Sequence, residues 1–181
     1  MIRVKNLAFS YAKTPYMKDI NFEVNDGEIF GFLGPSGAGK STLQKILTGV
    51  LTNYSGNVLI NDIEVKNAKS DFYENIGVDF EFPSLYGKMS GEDNLKFFAS
   101  LYKKSTDIGN LLECVGLKQD GKRKVSEYSK GMKSRLNFIK ALIHDPQVLF
   151  LDEPTSGLDP TSAGVMKDII LKEKLKGKTD E

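Results

Sequence analysis

One nine-residue segment has the residue types and spacing of a phosphate-binding loop. Gly34, Gly39, Lys40 and Ser41 match the pattern G-x-x-x-x-G-K-[ST], known as Walker A. Its glycines let backbone N–H groups turn toward a polyphosphate, and a following helix directs its positive end there. Lys40 would contact the β- and γ-phosphates, and the Ser41 hydroxyl is an oxygen ligand suited to Mg²⁺. The candidate nucleotide-binding residues are Gly34, Pro35, Ser36, Gly37, Ala38, Gly39, Lys40, Ser41 and Thr42.

Two adjacent carboxylates follow a short apolar segment, V-L-F-L, at residues 148–151. This segment predicts a buried strand, and strand alternation would give the two acids different tasks at the carboxyl edge of a sheet. Asp152 is the candidate Mg²⁺ ligand, acting through water as in a Walker B motif. Glu153 is the candidate catalytic residue, because a carboxylate there can accept a proton from the water that attacks the γ-phosphate, or orient that water.

A third segment, Y-S-K-G-M at residues 128–132, precedes a helical pattern. Ser129 and Gly131 at a helix N-terminus would form an anion-binding surface. With these three segments the chain resembles the ATP-binding cassette (ABC) ATPase domains, whose signature sequence LSGGQ corresponds to residues 128–132. The resemblance implies that Ser129, Lys130, Gly131 and Met132 meet the γ-phosphate held by another subunit. Lys130 and Met132 depart from that sequence, and the form Y-S-K-G-M resembles ATPases of the ABC-2 type exporters.

The resemblance assigns three further positions. Tyr11 is similar to the aromatic residue that stacks on adenine in this family. Glu81 stands where most members have the Q-loop glutamine, and its carboxylate would ligate Mg²⁺ or a water on it. Asp159, in the sequence S-G-L-D, matches the D-loop, which would contact the partner subunit.

The order of strand and helix patterns predicts an α/β fold. An α/β core interrupted by a helical insertion, about residues 82–141, fits this order best. The resemblance implies one ABC ATPase domain over residues 1–181, with a P-loop NTPase core of mostly parallel strands and an antiparallel N-terminal β subdomain. The run I-F-G-F-L within residues 28–33 is apolar at consecutive positions, which predicts a strand covered on both faces. Cys114 adjoins an apolar helical stripe, which favours a buried thiol.

Composition narrows the possible partners. The chain has 181 residues, and its 25 Lys and Arg balance 24 Asp and Glu, giving a formal net charge of +1. This balance removes the usual charge argument for nucleic-acid binding, so no nucleic-acid partner is expected. No apolar run is long enough to span a bilayer. The resemblance therefore implies a cytoplasmic ATPase, held at the inner face of the membrane by a separate transmembrane permease subunit.

These features predict an ATP-hydrolysing subunit of an ABC exporter that forms a head-to-tail dimer and uses ATP and Mg²⁺. In the family the domain continues through a strand that ends in a switch histidine. The only histidine here is His144, upstream of Asp152, so the 181-residue form is expected to hydrolyse ATP poorly or not at all. Three alternatives remain: a nucleotide-binding fragment without turnover, a soluble ABC protein outside transport, and a P-loop small-molecule kinase.

Overall fold

The computed structural model describes residues 1–11, 16–35, 37–80 and 84–176. These residues form two compact units. The first comprises Met1–Tyr73 and the end of the last helix from Lys174, and the second comprises Glu74–Glu173.

The first unit is built on a four-stranded antiparallel sheet, which confirms the predicted antiparallel arrangement of the N-terminal strands. Its strands are β1 (Ile2–Phe9), β2 (Met17–Val24), β3 (Ser55–Ile60) and β4 (Ile63–Glu64), in the order β2-β1-β3-β4. Two helices complete the unit, α1 (Lys40–Leu47) and the single turn α2 (Ser70–Tyr73).

Strand β1 changes the phase of its side-chain alternation halfway along. Ile2 and Val4 are buried in its first half, and Leu7 and Phe9 in its second. The pairing with β2 shifts between Val4 and Leu7, and Asn6 lies between them with φ 50°. A bulge of this kind inserts one residue, so the apolar side chains on both sides of it face the same core.

The strand predicted at residues 28–33 is not formed, and this prediction is wrong. The segment has no ladder partner in its unit, and Leu33 is 98% exposed. Instead, the rings of Phe30 and Phe32 pack on each other and on Phe22 of β2. An apolar run becomes a strand only where neighbouring strands complete its backbone hydrogen bonds, and the first unit supplies none here.

The second unit contains two parallel strands and most of the helices. β5 (Ile76–Asp79) pairs with β6 (Val148–Leu151) in parallel, as an α/β core requires. The helices are α3 (Gly91–Ala99), α4 (Ile108–Cys114), α5 (Lys130–Ala141) and α6 (Pro160–Lys176), the last of which runs into the first unit.

Apolar side chains of four helices form the core of the second unit. One cluster of buried side chains joins α3, α4, α5 and α6 through Leu95, Leu112, Leu136, Ile139 and Met166. Each of these helices therefore packs through its apolar face.

Cys114 is exposed, so the prediction of a buried thiol is wrong. It is the last residue of α4, two positions from the buried Leu112. Two residues correspond to about 200° of rotation in an α-helix, which places the thiol on the opposite side from the core.

Within the described residues, no helix combines the length and the apolarity that crossing a bilayer requires.

Gly77 in β5 tests the packing of the second unit. A Cβ at this position would lie 2.2 Å from the Ala141 carbonyl oxygen and 2.8 Å from Cγ of Pro146. Because a backbone atom cannot move aside as a side-chain tip can, Gly77→Ala should lower the free energy of unfolding by about 1–3 kcal/mol. Urea denaturation measures this loss.

The matched control is Gly164→Ala in α6, where a Cβ would meet nothing within 4 Å. We expect this variant to be neutral, or stabilised by up to about 1 kcal/mol, because alanine favours helix. Equal stability of the two variants would contradict the close approach at Gly77.

His144 makes stability depend on pH. The ring is buried and stacks on Tyr102, with centroids 3.8 Å apart, and Nε2 donates to the Ile76 carbonyl oxygen at 2.9 Å. Burial lowers the pKa of His144 below its usual 6.5, although the hydrogen bond to Ile76 acts in the opposite direction. The unfolded chain therefore binds this proton more readily, so stability should fall as pH drops through about 6.5.

His144→Gln keeps a donor for the Ile76 carbonyl and has no group that titrates in this range. We expect the variant to lose part of the pH dependence of its unfolding free energy between about pH 5 and 7. Parallel pH profiles for the variant and the wild type would show that His144 does not carry this dependence.

Candidate functional site

The described residues of the predicted phosphate-binding loop include the helix start that the sequence predicts. Helix α1 begins at Lys40, and Gly39 is its N-cap residue. Gly37 and Gly39 have φ values of 84° and 92°, which side-chain-bearing residues rarely adopt. These two positions let the loop turn tightly into the helix.

Helix α1 differs from the other long helices at its start. In the described part of the chain, side-chain oxygens of Ser90, Asp107 and Ser129 accept from the first turns of α3, α4 and α5. Asp159 does the same for α6, with its Oδ1 2.9 Å from the Ser162 nitrogen. The N-cap residue of α1 is a glycine, which has no side chain to accept. A helix start without a capping side chain suits an external anion, because the positive end of the helix dipole lies there.

Lys40 lies over the loop that precedes it. Its Nζ donates to the carbonyl oxygens of Gly34 at 2.7 Å and Pro35 at 3.2 Å. These are exposed hydrogen bonds, which a phosphate oxygen can replace with charge-assisted ones.

Two tyrosines border the loop. The Tyr11 hydroxyl is 2.9 Å from Oγ1 of Thr42, and the Tyr16 hydroxyl donates to the Gly37 carbonyl at 2.9 Å. Tyr11 is 62% exposed and packs edge-on against Phe9 and Tyr16. A base can therefore reach its ring beside the first turn of α1. Sequence reasoning missed Tyr16, although a second aromatic five residues after Tyr11 was a visible signal.

Two predicted site residues, Ser36 and Glu81, lie outside the described residues. Their assignments stay predictions.

The two candidate carboxylates follow β6 rather than belonging to it. The strand ends at Leu151, so strand alternation does not set their directions as the sequence predicted. Instead, the Asp152 nitrogen donates to the Asp79 carbonyl oxygen at 3.0 Å, and Glu153 has φ 48°. A left-handed backbone at a non-glycine residue costs about 1 kcal/mol or more, so Glu153 sits in a turn held by its surroundings.

Asp79 is a buried carboxylate at the same sheet edge, and sequence reasoning missed it. It is 5% exposed and accepts a hydrogen bond from Nδ2 of Asn137. Burial raises the pKa of Asp79 to about 6, while Lys140 and Asn137 lower it and Asp152 raises it further. The available signal was a charged residue that ends an apolar strand pattern next to Glu81.

The signature segment forms the start of α5, as predicted. Ser129 is the N-cap residue, and its Oγ accepts from the Met132 nitrogen at 3.2 Å. A Cβ on Gly131 would lie 3.6 Å from Leu158, and a Cβ on Gly157 would lie 3.3 Å from Nζ of Lys130. The structure therefore places the signature segment beside the D-loop segment.

The oxygen that caps α6 belongs to Asp159. Hydrogen bonds from Ser162 hold the pKa of Asp159 below its usual value, so the carboxylate is ionised near neutral pH. His144 bonds to Ile76 at the start of β5, at the opposite end of that strand from Asp79.

Comparison with known proteins identifies the family. The sequence model of the ABC transporter family matches residues 17–156. A fluoroquinolones export ATP-binding protein of Mycobacterium tuberculosis is 52% identical over 99% of this chain and 60% of its own length. A lantibiotic transport ATP-binding protein of Streptococcus pyogenes, SrtF, is 38% identical over 99% of this chain and 77% of its own. The chain thus spans about three-fifths of the length of its mycobacterial relative.

Solved structures give the same fold. The ATP-binding subunit of an ABC transporter superposes with a TM-score of 0.89 at 27% identity, covering 97% of this chain and 75% of its own. A dimeric ATP-binding cassette bound to ADP and Pi has a TM-score of 0.84 at 22% identity, covering 98% and 85%, which supports the fold alone. The chain belongs to the ABC transporter family, as an ABC ATPase domain.

Proposed function

We propose that this chain binds MgATP and hydrolyses it as the ATP-binding subunit of an ABC exporter. The observation that carries the proposal is the start of α1, where a glycine takes the place of a capping side chain and Lys40 lies across the loop. This combination suits a polyphosphate, because the positive end of the helix dipole and a mobile cation lie at the same place.

The side chains proposed to hold Mg²⁺ fit its chemistry. Ser41 offers a hydroxyl and Asp152 a carboxylate, both hard oxygen ligands of the kind Mg²⁺ takes together with phosphate oxygens and water. When bound, the ion would neutralise charge on the β- and γ-phosphates. Glu81 is proposed as a further ligand, direct or through water. Tyr11 is proposed to stack on the adenine, since its ring is exposed.

Glu153 is proposed to orient the attacking water and accept its proton. The water oxygen forms a bond to the γ-phosphorus as the bond from that phosphorus to the β–γ bridging oxygen breaks, leaving ADP and phosphate. The exposed carboxylate follows Asp152 directly in the turn after β6. Its proximity to a proposed metal ligand suits this role.

The signature and D-loop segments are proposed to complete the site of a second ATPase subunit in a head-to-tail dimer. Support comes from Ser129 and Gly131 at the start of α5, with Gly157 and Leu158 beside them. The positive end of the α5 dipole lies at this terminus, so the terminus and the adjoining turn are proposed to face the γ-phosphate held by the partner subunit.

Export through a separate membrane permease is proposed from the relatives. The names of two of them specify fluoroquinolone export and lantibiotic transport. We propose that this chain works at the cytoplasmic face of the membrane, bound to such a permease.

Lys40→Ala should weaken MgATP binding by about 10- to 100-fold, because a charge-assisted contact to phosphate is lost. Isothermal titration calorimetry measures the affinity. The control is Lys45→Ala, which removes the same charge from the exposed last turn of the same helix and should bind normally. Equal affinities of the two variants would contradict the role of the loop.

In a chain extended through the strand that carries the family's switch histidine, Glu153→Gln should lower turnover by about 100-fold or more. MgATP affinity should stay within about twofold, since only the proton acceptor is lost. Phosphate release and calorimetry give the two quantities. The control is Glu113→Gln, an exposed acid paired with Lys118 in the same unit. A Glu153→Gln variant with normal turnover would place the base elsewhere.

A further inference from the structure

We infer that Asn137 and Asp79 form a positioning pair that couples the signature segment to the Walker B carboxylates. The inference rests on the proposed function, since it concerns the geometry of ATP hydrolysis. It names two residues outside all three sequence motifs.

The pair is buried and specific. Asn137 is 2% exposed, and its Nδ2 donates both to Oδ1 of Asp79 and to the Phe80 carbonyl oxygen, the latter at 3.3 Å. These two acceptors use both amide hydrogens, so they fix the orientation of the side chain. The side chain therefore holds the end of β5 in one register relative to α5.

Each end of this pair connects to a predicted functional group. Asn137 belongs to α5, whose first turn carries Ser129 and the signature residues. Asp79 accepts, through its backbone oxygen, the hydrogen bond from the Asp152 nitrogen. One helix and two hydrogen-bonded contacts thus connect the signature segment to Asp152 within a single compact unit.

Stability alone gives a poor reason for this arrangement. Among the described residues, Oδ1 of Asn137 has no hydrogen-bond partner although it is buried. Leaving a buried acceptor unpaired is unfavourable, and burying the Asp79 carboxylate beside it is unfavourable as well. An apolar pair would fill this space without either penalty, so the polar pair is better explained by the position that it enforces.

Lys140 reinforces the same contact between α5 and β5. It lies one helical turn after Asn137, its charge stabilises the ionised form of Asp79, and its Nζ donates to Oγ of Ser84 at 3.0 Å. Its ammonium also lies 4.9 Å from the centroid of the Phe98 ring. The polar edge of α5 therefore contacts the chain on both sides of residues 81–83.

The test is an exchange of the two side chains in a chain extended through the strand that carries the family's switch histidine. Asn137→Ala should lower the kcat of ATP hydrolysis by about tenfold or more, with the Kd for MgATP within about twofold. Asn137→Asp should lower kcat to a similar extent, because it places a second carboxylate beside that of Asp79. The double variant Asp79→Asn with Asn137→Asp restores an amide–carboxylate hydrogen bond in the opposite sense, and it should recover most of the lost kcat.

Asn94→Ala is the matched control. Asn94 is also a fully buried helical asparagine of the second unit, but it bonds to Tyr86 and Ser90 and not to a strand end near the carboxylates. We expect this variant to melt at a lower temperature and to keep the kcat of the folded protein.

The outcomes distinguish failure of this inference from failure of the proposed function. If the Asn137 variants lose thermal stability as Asn94→Ala does and keep their kcat, the inference is overturned and the proposed function stands. If Asn137→Asp does not fold, Asn137→Ala and the double variant still test the inference. If Asn137→Ala loses kcat and the double variant does not recover it, the inference is overturned as well. A wild-type chain that binds no MgATP and releases no phosphate overturns both.

Discussion

The absence of intrahelical acceptors at a helix start is the constraint on which the proposed site depends. Every helix begins with N–H groups that need a partner. Ser129 and Asp159 meet this need for α5 and α6 from within the chain. Gly39 does not meet it for α1, and the loop before α1 turns through glycines with positive φ. A side chain thus meets this requirement at some helix starts, whereas at α1 a glycine loop takes the place of that side chain.

Features that depend on a few neighbouring residues could be predicted from the sequence. The start of α1 at Lys40 follows from its glycine loop, and the start of α5 follows from the capping side chain of Ser129. The failures concern tertiary surroundings. Residues 28–33 have a buried strand's composition, but composition cannot tell which strand will pair with it. Cys114 adjoins an apolar stripe, and only the angular position around α4 shows that it faces away from the core.

The residues of the candidate site also fall into two groups: those that a local sequence pattern predicts, and those that only tertiary packing brings together. Spacing along the chain indicated the phosphate-binding loop, the acids after β6 and the signature segment, because each is one short segment. Asp79 and Asn137 are 58 residues apart, and no local pattern joins them. Their contact exists because α5 packs on β5 with a polar side chain that faces the end of the strand. In the sequence, Asn137 interrupts an apolar helical pattern, and nothing nearby in the sequence indicates that it is buried against Asp79.

The contact of Lys130 and Gly131 with Gly157 and Leu158 has a consequence for genetics. The two segments are distant in sequence, yet they present a single surface. Gly157 has φ 70° and the lysine ammonium beside it, so a larger residue there would both strain the turn and displace Lys130. A mutant selected in this turn would therefore share the phenotype of a signature mutant, and suppressors of one lesion should be found in the other segment.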